Sequence, residues 1–280
     1  MNILVIAGHP ADMFDHCGGT LMHHIRRGDH VTCVSLTQGL RTHDEVISDV
    51  FRNHIQEYTP EQIEQLKQER LRIKYAEVIK ACALFGIEDV RFLDYDDEIL
   101  TMNAEIISKT AKLIREVQPK VVITHWPHQY GGISNHHALT GRIAIAAITA
   151  ASSVNFEDRM PAARIAQTFY MLSPHDCSSF GLIGSDQLAH ATLYVDVSDV
   201  VDLKIKAVET MASQKYDIPG YAARTVERWA GTFGTRVRLA YAEAFAVESP
   251  EVSDHLPVSD HRMWLATADE HEILRKYSQS

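Results

Sequence analysis

Residues 2–20 read NILVIAGHPADMFDHCGGT. A short apolar, β-rich run from Asn2 to Ala7 ends at Gly8, and Gly18-Gly19-Thr20 opens a helical segment over about 17–27. This strand–turn–helix order repeats outward along the chain. Further β-rich runs lie at about 30–36 (HVTCVSL), 90–94, 120–124 (KVVIT), 167–172 (QTFYML) and 192–197. Helical periodicity occupies about 60–85, 103–117, 136–151, 199–213 and 219–230. Strands alternating with crossover helices imply parallel pairing. The expected fold is therefore α/β, a Rossmann-like, mostly parallel sheet flanked by helices in a single domain.

With 280 residues, 45% of them hydrophobic, the chain can fill one large core and shows no composition break that demands two. We expect the domain to span residues 1–246. The stretch 247–280, of mixed polarity with a weak helical close, reads as a C-terminal arm and an oligomer contact. A formal charge of -10 leaves no basic field to gather phosphate backbones, so nucleic acid is not an expected partner. Cys17, Cys33, Cys82 and Cys177 are scattered without CxxC spacing, which suits a reducing cytosol. No basic leader precedes the first strand and no apolar run reaches membrane-span length, so a cytoplasmic location without membrane contact is expected.

In such a sheet ligands bind beyond the carboxyl ends of the strands. The loops there are GHPADMFDHCGGT, TQGLRTHDE, THWPHQYGGISNHH and SPHDC, and every one carries histidine. Residues 39–60 read as a mobile loop over the site. His9 and Asp12, three residues apart at a strand end, can turn an imidazole and a carboxylate towards one point. Two N/O ligands, a third from a distant loop and a water make the open coordination of a catalytic zinc. Taken alone, an HxxD pair is more often a strand-end histidine and a helix cap.

The run AGHPADMFDHCGGTL resembles the A-H-P-D-D-E…G-G-T signature of the PIG-L/LmbE zinc-dependent deacetylases, and SNHHALTGR resembles their H-P-D-H-x-A-T segment. KAVETMASQ (206–214) and YAEAF (241–245) are similar to the family's C-terminal landmarks. The resemblance implies one divalent metal ion, Zn2+ first with Fe2+ or Co2+ as alternatives, on His9, Asp12 and His136. It also implies a homo-oligomer.

The departures from that pattern bear on the reaction. In the deacetylases the first aspartate of the signature is the general base, and here that position is Ala11. A lost general base costs about two to four orders of magnitude in rate. Ile133 and Asn135 replace the histidine and aspartate of the second motif. The pattern resembles the 4-oxalomesaconate (4-carboxy-2-hydroxymuconate) hydratase branch, which carries alanine at the base position and methionine where Met211 stands. FYMLSPHDC is similar to that branch's segment ending in E-P-H, which places the catalytic acid on His175. The implied reaction adds water to a C=C bond of an unsaturated oxo-di- or tricarboxylic acid, a small anionic substrate.

That branch positions its water with a glutamate in the loop after the second strand. Alignment puts His43 there, and a shift of one or two residues brings Glu45 to the role, whereas Asp44 and Glu45 could instead cap a helix beginning near Val46. Arg41 is expected to clamp a carboxylate through paired guanidinium donors, with Arg224, Arg228 and Arg236 as further cations. His128 and His125 are expected to line the pocket or to support a ligand. One rival reading is an N-acyl hydrolase with Asp15 or His16 as relocated base; another is an inactive metal-binding homologue. Nucleotide binding is disfavoured because GHPADMFDHCGG lacks GxGxxG.

Overall fold

The first strand, β1 (Asn2–Ala7), sends Ile3, Val5 and Ala7 to one core and Leu4 and Ile6 to another, so the sheet is covered on both faces. The computed structural model describes residues 1–97, 101–128, 136–157, 159–177 and 189–278. Six further strands follow: β2 (His30–Thr37), β3 (Asp89–Tyr95), β4 (Val121–His125), β5 (Gln167–Met171), β6 (Leu193–Asp196) and β7 (Ala242–Val247). They form one sheet in the order β3-β2-β1-β4-β5-β7-β6. Pairings among the first five are parallel, while β7 runs antiparallel to both β5 and β6. This is a single-domain α/β fold with a mostly parallel sheet. The last strand was read in the sequence only as the YAEAF landmark, because its alanine-rich run carries little β-propensity.

The helices are α1 (Asp12–Asp15), α2 (Gly18–Arg26), α3 (Leu40–His43), α4 (Glu45–Asp49), α5 (Pro60–Leu84), α6 (Ala104–Val117), α7 (His136–Ala151), α8 (Val201–Glu209), α9 (Tyr221–Val226), α10 (Thr232–Val237), α11 (Asp260–Thr267) and α12 (Glu270–Ser278). None of the described helices is long and apolar enough to cross a membrane. A π-helical turn, Glu227–Gly231, fuses α9 to α10, so the helix expected over 219–230 runs on to Val237.

Residues 39–60, read in the sequence as a loop, are mostly helical. Between α3 and α4 stands Asp44, fully buried, whose carboxylate accepts from the Ile47 N–H at 3.0 Å and from Arg70 Nε at 3.1 Å. Beyond α4 come a π turn (Val50–His54) and a 3-10 turn (Ile55–Glu57). A local cap and a distant ion pair hold the segment, and only the cap is visible in sequence.

At the glycine pair, the N-terminus of α2 receives a carboxylate. Glu243 of β7 accepts the Gly19 and Thr20 N–H groups at 3.0 and 2.8 Å, and Lys204 Nζ lies 2.8 Å from the same side chain. The place where a nucleotide fold would seat a phosphate is thus filled by the protein's own anion.

Candidate metal centre

β1 and β4 are neighbours at the switch point of the sheet, and the site lies where both end. His9 and Asp12 leave β1 on a turn closed by Asp12 N–H to His9 O (3.2 Å), and the His9 N–H donates to Asp12 Oδ2 at 2.7 Å. Both side chains are buried. His9 Nδ1 lies 3.3 Å from Asp12 Oδ2, and His137 Nε2 lies 3.3 Å from the same oxygen. Donors of a tetrahedral ion held at about 2.0–2.1 Å stand about 3.3–3.4 Å apart, so these edges already match. His9 Nδ1 is buried with no hydrogen-bond partner, as a nitrogen kept for an ion would be. Two imidazoles and one carboxylate suit a zinc-type ion.

Among the described residues the side chain that could complete this set is His137, whereas the resemblance implies His136. His136 contacts the other side of His9, its Nδ1 3.2 Å from His9 Nε2. The reason lies in α7. Adjacent helical residues point about 100° apart, so only one of the two can share a face with Gly141. A Cβ on Gly141 would stand 2.4 Å from the His125 carbonyl, so the helix comes closest to β4 on that face, and His137 sits one turn before it. Asn135 and Ile133 lie outside the described residues.

His125, at the end of β4, stacks on His137 with ring centroids 4.1 Å apart. Its Nε2 is 3.1 Å from Asp12 Oδ2 and accepts the Gly8 N–H at 3.1 Å. Burial alone would raise the Asp12 carboxyl; His137 and His9 instead hold it well below the usual range. Asp12 is therefore an anion ready to bind a cation.

A cavity of about 480 Å³ opens beside His9, Asp12 and His137. Its wall brings in His175, Ala11 and Asp15, together with His43, Tyr216, Arg228 and Trp229. His175 rides on a 3-10 turn (Pro174–Cys177) pinned by Asp176, whose Oδ2 accepts the Ser173 N–H at 2.7 Å and the Ser173 hydroxyl at 2.8 Å. Asp15 is pushed up to about 6 by burial, with Asp12 and Glu243 adding to the shift and Lys204 opposing it. Its Oδ1 is buried and unpartnered.

Four residues expected at the site stand elsewhere. Glu45 pairs with Lys215, and Arg41 Nε pairs with Asp96 at 2.7 Å; neither lines the cavity. Asp97 turns the first residues of α3, accepting the Thr42 N–H and hydroxyl at 3.0 and 2.8 Å, and leaves Arg41 facing outward. His43 is the side chain of that loop that reaches the site, 4.7 Å from His9 between ring centroids and lowered to about 3 by burial and by His9. Arg224 is exposed and off the cavity wall; Arg228, brought round by the π turn, takes its place. His128 packs on Trp126 and does not line the cavity. His137, Trp229 and Tyr216 were missed, and for His137 the only sequence signal was the HH pair itself.

The family model for PIG-L, GlcNAc-PI de-N-acetylase, matches residues 4–148, just over half of the chain. The chain belongs to the PIG-L family. Among curated relatives of this PIG-L chain, the diacetylchitobiose deacetylase of Thermococcus kodakarensis is 27% identical over 215 residues, covering 76% of this chain and 69% of that one. The 4-oxalmesaconate hydratase of Pseudomonas putida is 24% identical over 263 residues, covering 90% and 91%. Among solved structures, the 4-carboxy-2-hydroxymuconate hydratase GalB from Pseudomonas putida superposes with a TM-score of 0.69 at 21% identity, covering 91% of this chain and 99% of that one. The N,N'-diacetylchitobiose deacetylase from Pyrococcus horikoshii gives 0.68 at 21%, covering 88% and 83%. The PIG-L relatives thus include both hydratase and deacetylases, and at these identities the structural likenesses establish the fold.

Proposed function

We propose that this PIG-L protein is a metal-dependent hydratase that adds water to a C=C bond of an unsaturated oxo-di- or tricarboxylic acid. The observation that carries the reading is the joint placement of Ala11 and His175 on the cavity beside His9 and Asp12. A methyl group stands where the resemblance implies the deacetylase base, and an imidazole where it implies the hydratase acid. When bound, a zinc-type ion lowers the pKa of water towards about 7 and so supplies the nucleophile. His9, Asp12 and His137 would hold that ion.

The protein's own residues do the rest. Arg228 offers paired N–H donors to a substrate carboxylate on the cavity wall, and Tyr216 offers a hydroxyl. As the water oxygen bonds to the β carbon, the π electrons move to the α carbon and its conjugated carbonyl. His175 delivers a proton to that α carbon and recovers one from the added water. Leu256, Val258, Met263 and Leu274 stand exposed on the C-terminal segment, which supports its proposed role as an oligomer contact.

One observation favours a second reading, an N-acyl hydrolase: Asp15, raised to about 6, faces the same cavity and could serve as a relocated base. A paired assay on metal-loaded protein separates the two. We expect loss of ultraviolet absorbance from a conjugated oxo-tricarboxylate and no acetate from N-acetylglucosamine or diacetylchitobiose. Acetate release without bleaching would reverse the assignment, and neither activity would leave a metal-binding homologue. Ala11→Asp should lower hydration by crowding the water with a second anion; a rise in amide hydrolysis would again reverse it.

A further inference from the structure

Next to the first donor set, three imidazoles meet from three separate elements: His16 at the end of α1, His125 at the end of β4 and His137 in the first turn of α7. One nitrogen from each lies within 4.8 Å of the others. His16 is edge-on to His125 at 5.3 Å and to His137 at 5.6 Å between centroids, with Trp229 edge-on at 4.6 Å on its other contact. His16 is only 5% exposed, and neither of its ring nitrogens has a hydrogen-bond partner. A buried imidazole with both polar atoms unsatisfied is costly and calls for a ligand. A small cavity of about 10 Å³ beside His16, Asp15 and Glu243 is at the lower limit for one water.

We infer that His16, His125 and His137 form a second cation site, built of imidazole nitrogens, for a borderline divalent ion such as Zn2+, Co2+ or Ni2+. Three neutral nitrogens select such ions over Mg2+ and Ca2+, which prefer oxygen. The stacked His125 and His137 planes lie 10° apart, so closing on an ion requires one of the two rings to turn out of the stack until both lone pairs converge. Because a neutral imidazole donates one lone pair, His137 serves either this set or the His9–Asp12 set. Wild-type protein therefore takes one equivalent, and the second set shows itself when the first is broken.

The test is titration calorimetry with metal analysis on the full chain, stripped of metal and titrated with Zn2+, Co2+ or Mg2+. His9→Ala is expected to keep one equivalent of Zn2+ or Co2+ and none of Mg2+. Adding His16→Ala to that background should weaken the uptake at least ~100-fold, and His16→Gln, which keeps size and hydrogen bonding, should do the same. The apo variants' near-ultraviolet circular dichroism reports their folding independently. No uptake by folded His9→Ala, or uptake indifferent to both His16 variants, overturns the second site; a water alone at His16 gives that result. The hydratase reading is tested separately by bleaching with wild-type protein, so either can fail without the other.

Discussion

Residues 8–17 and residues 39–57 follow neighbouring strands and both border the cavity, yet they present their side chains by different means. In the first segment His9 and Asp12 are oriented by each other's backbone within four residues, and both are buried. In the second, orientation comes from afar: Asp97 turns α3, Arg70 ties Asp44, and Asp96 and Lys215 draw Arg41 and Glu45 away from the site. Local geometry made the closeness of His9 and Asp12 readable from residue spacing, while their role as ligands is what the resemblance implies. Distant partners hid which side chain of the second would reach the cavity: it is His43, where the direct alignment put it, and not Glu45, which needed a shift of one or two residues.

The comparison is broken most severely through the first segment. His9→Ala or Asp12→Asn should reduce hydration to the level of metal-free protein, since the water then loses an ion on the His9–Asp12 set that lowers its pKa from 15.7 towards about 7, and an ion kept on His16, His125 and His137 does not replace it; turnover compared with metal-stripped wild-type protein checks this. His175→Ala should lower kcat by ~10²- to 10⁴-fold with metal content unchanged. A full rate would remove the acid assignment. In the second segment, His43→Ala should cost ~10- to 100-fold in activity or metal affinity through the support it gives His9. Glu45→Ala should change kcat by less than about threefold, because an exposed pair with Lys215 contributes little. If Glu45→Ala fell as far as His43→Ala, the contrast between the segments would collapse.

Asp15 sharpens the same contrast through pH. Its folded carboxyl titrates near 6, above its ordinary 3.8, so the folded state binds the extra proton between those values. Stability should fall as pH rises from about 4 to about 6, and Asp15→Asn should flatten that slope in denaturant titrations. Should kcat/KM also rise through pH 6 and lose that limb in Asp15→Asn, the hydrolase reading would gain a base. Gly141→Ala should act on packing, destabilising by ~1–3 kcal/mol as α7 is pushed from the His125 carbonyl, with His137 displaced.

The sequence by itself determined the mostly parallel sheet and the closeness of His9 and Asp12 at a strand end. Each rests on short-range terms: apolar periodicity, crossover length and a turn of four residues. Only the tertiary structure shows that His137, and not His136, lies beside Asp12, because that depends on which face of α7 can approach β4 past Gly141. It also put Arg228 rather than Arg224 on the cavity wall, through a π turn, and revealed Glu243 and Lys204 beneath the glycine pair. These choices belong to contacts between residues far apart in the chain, whose geometry exists only once the core has closed.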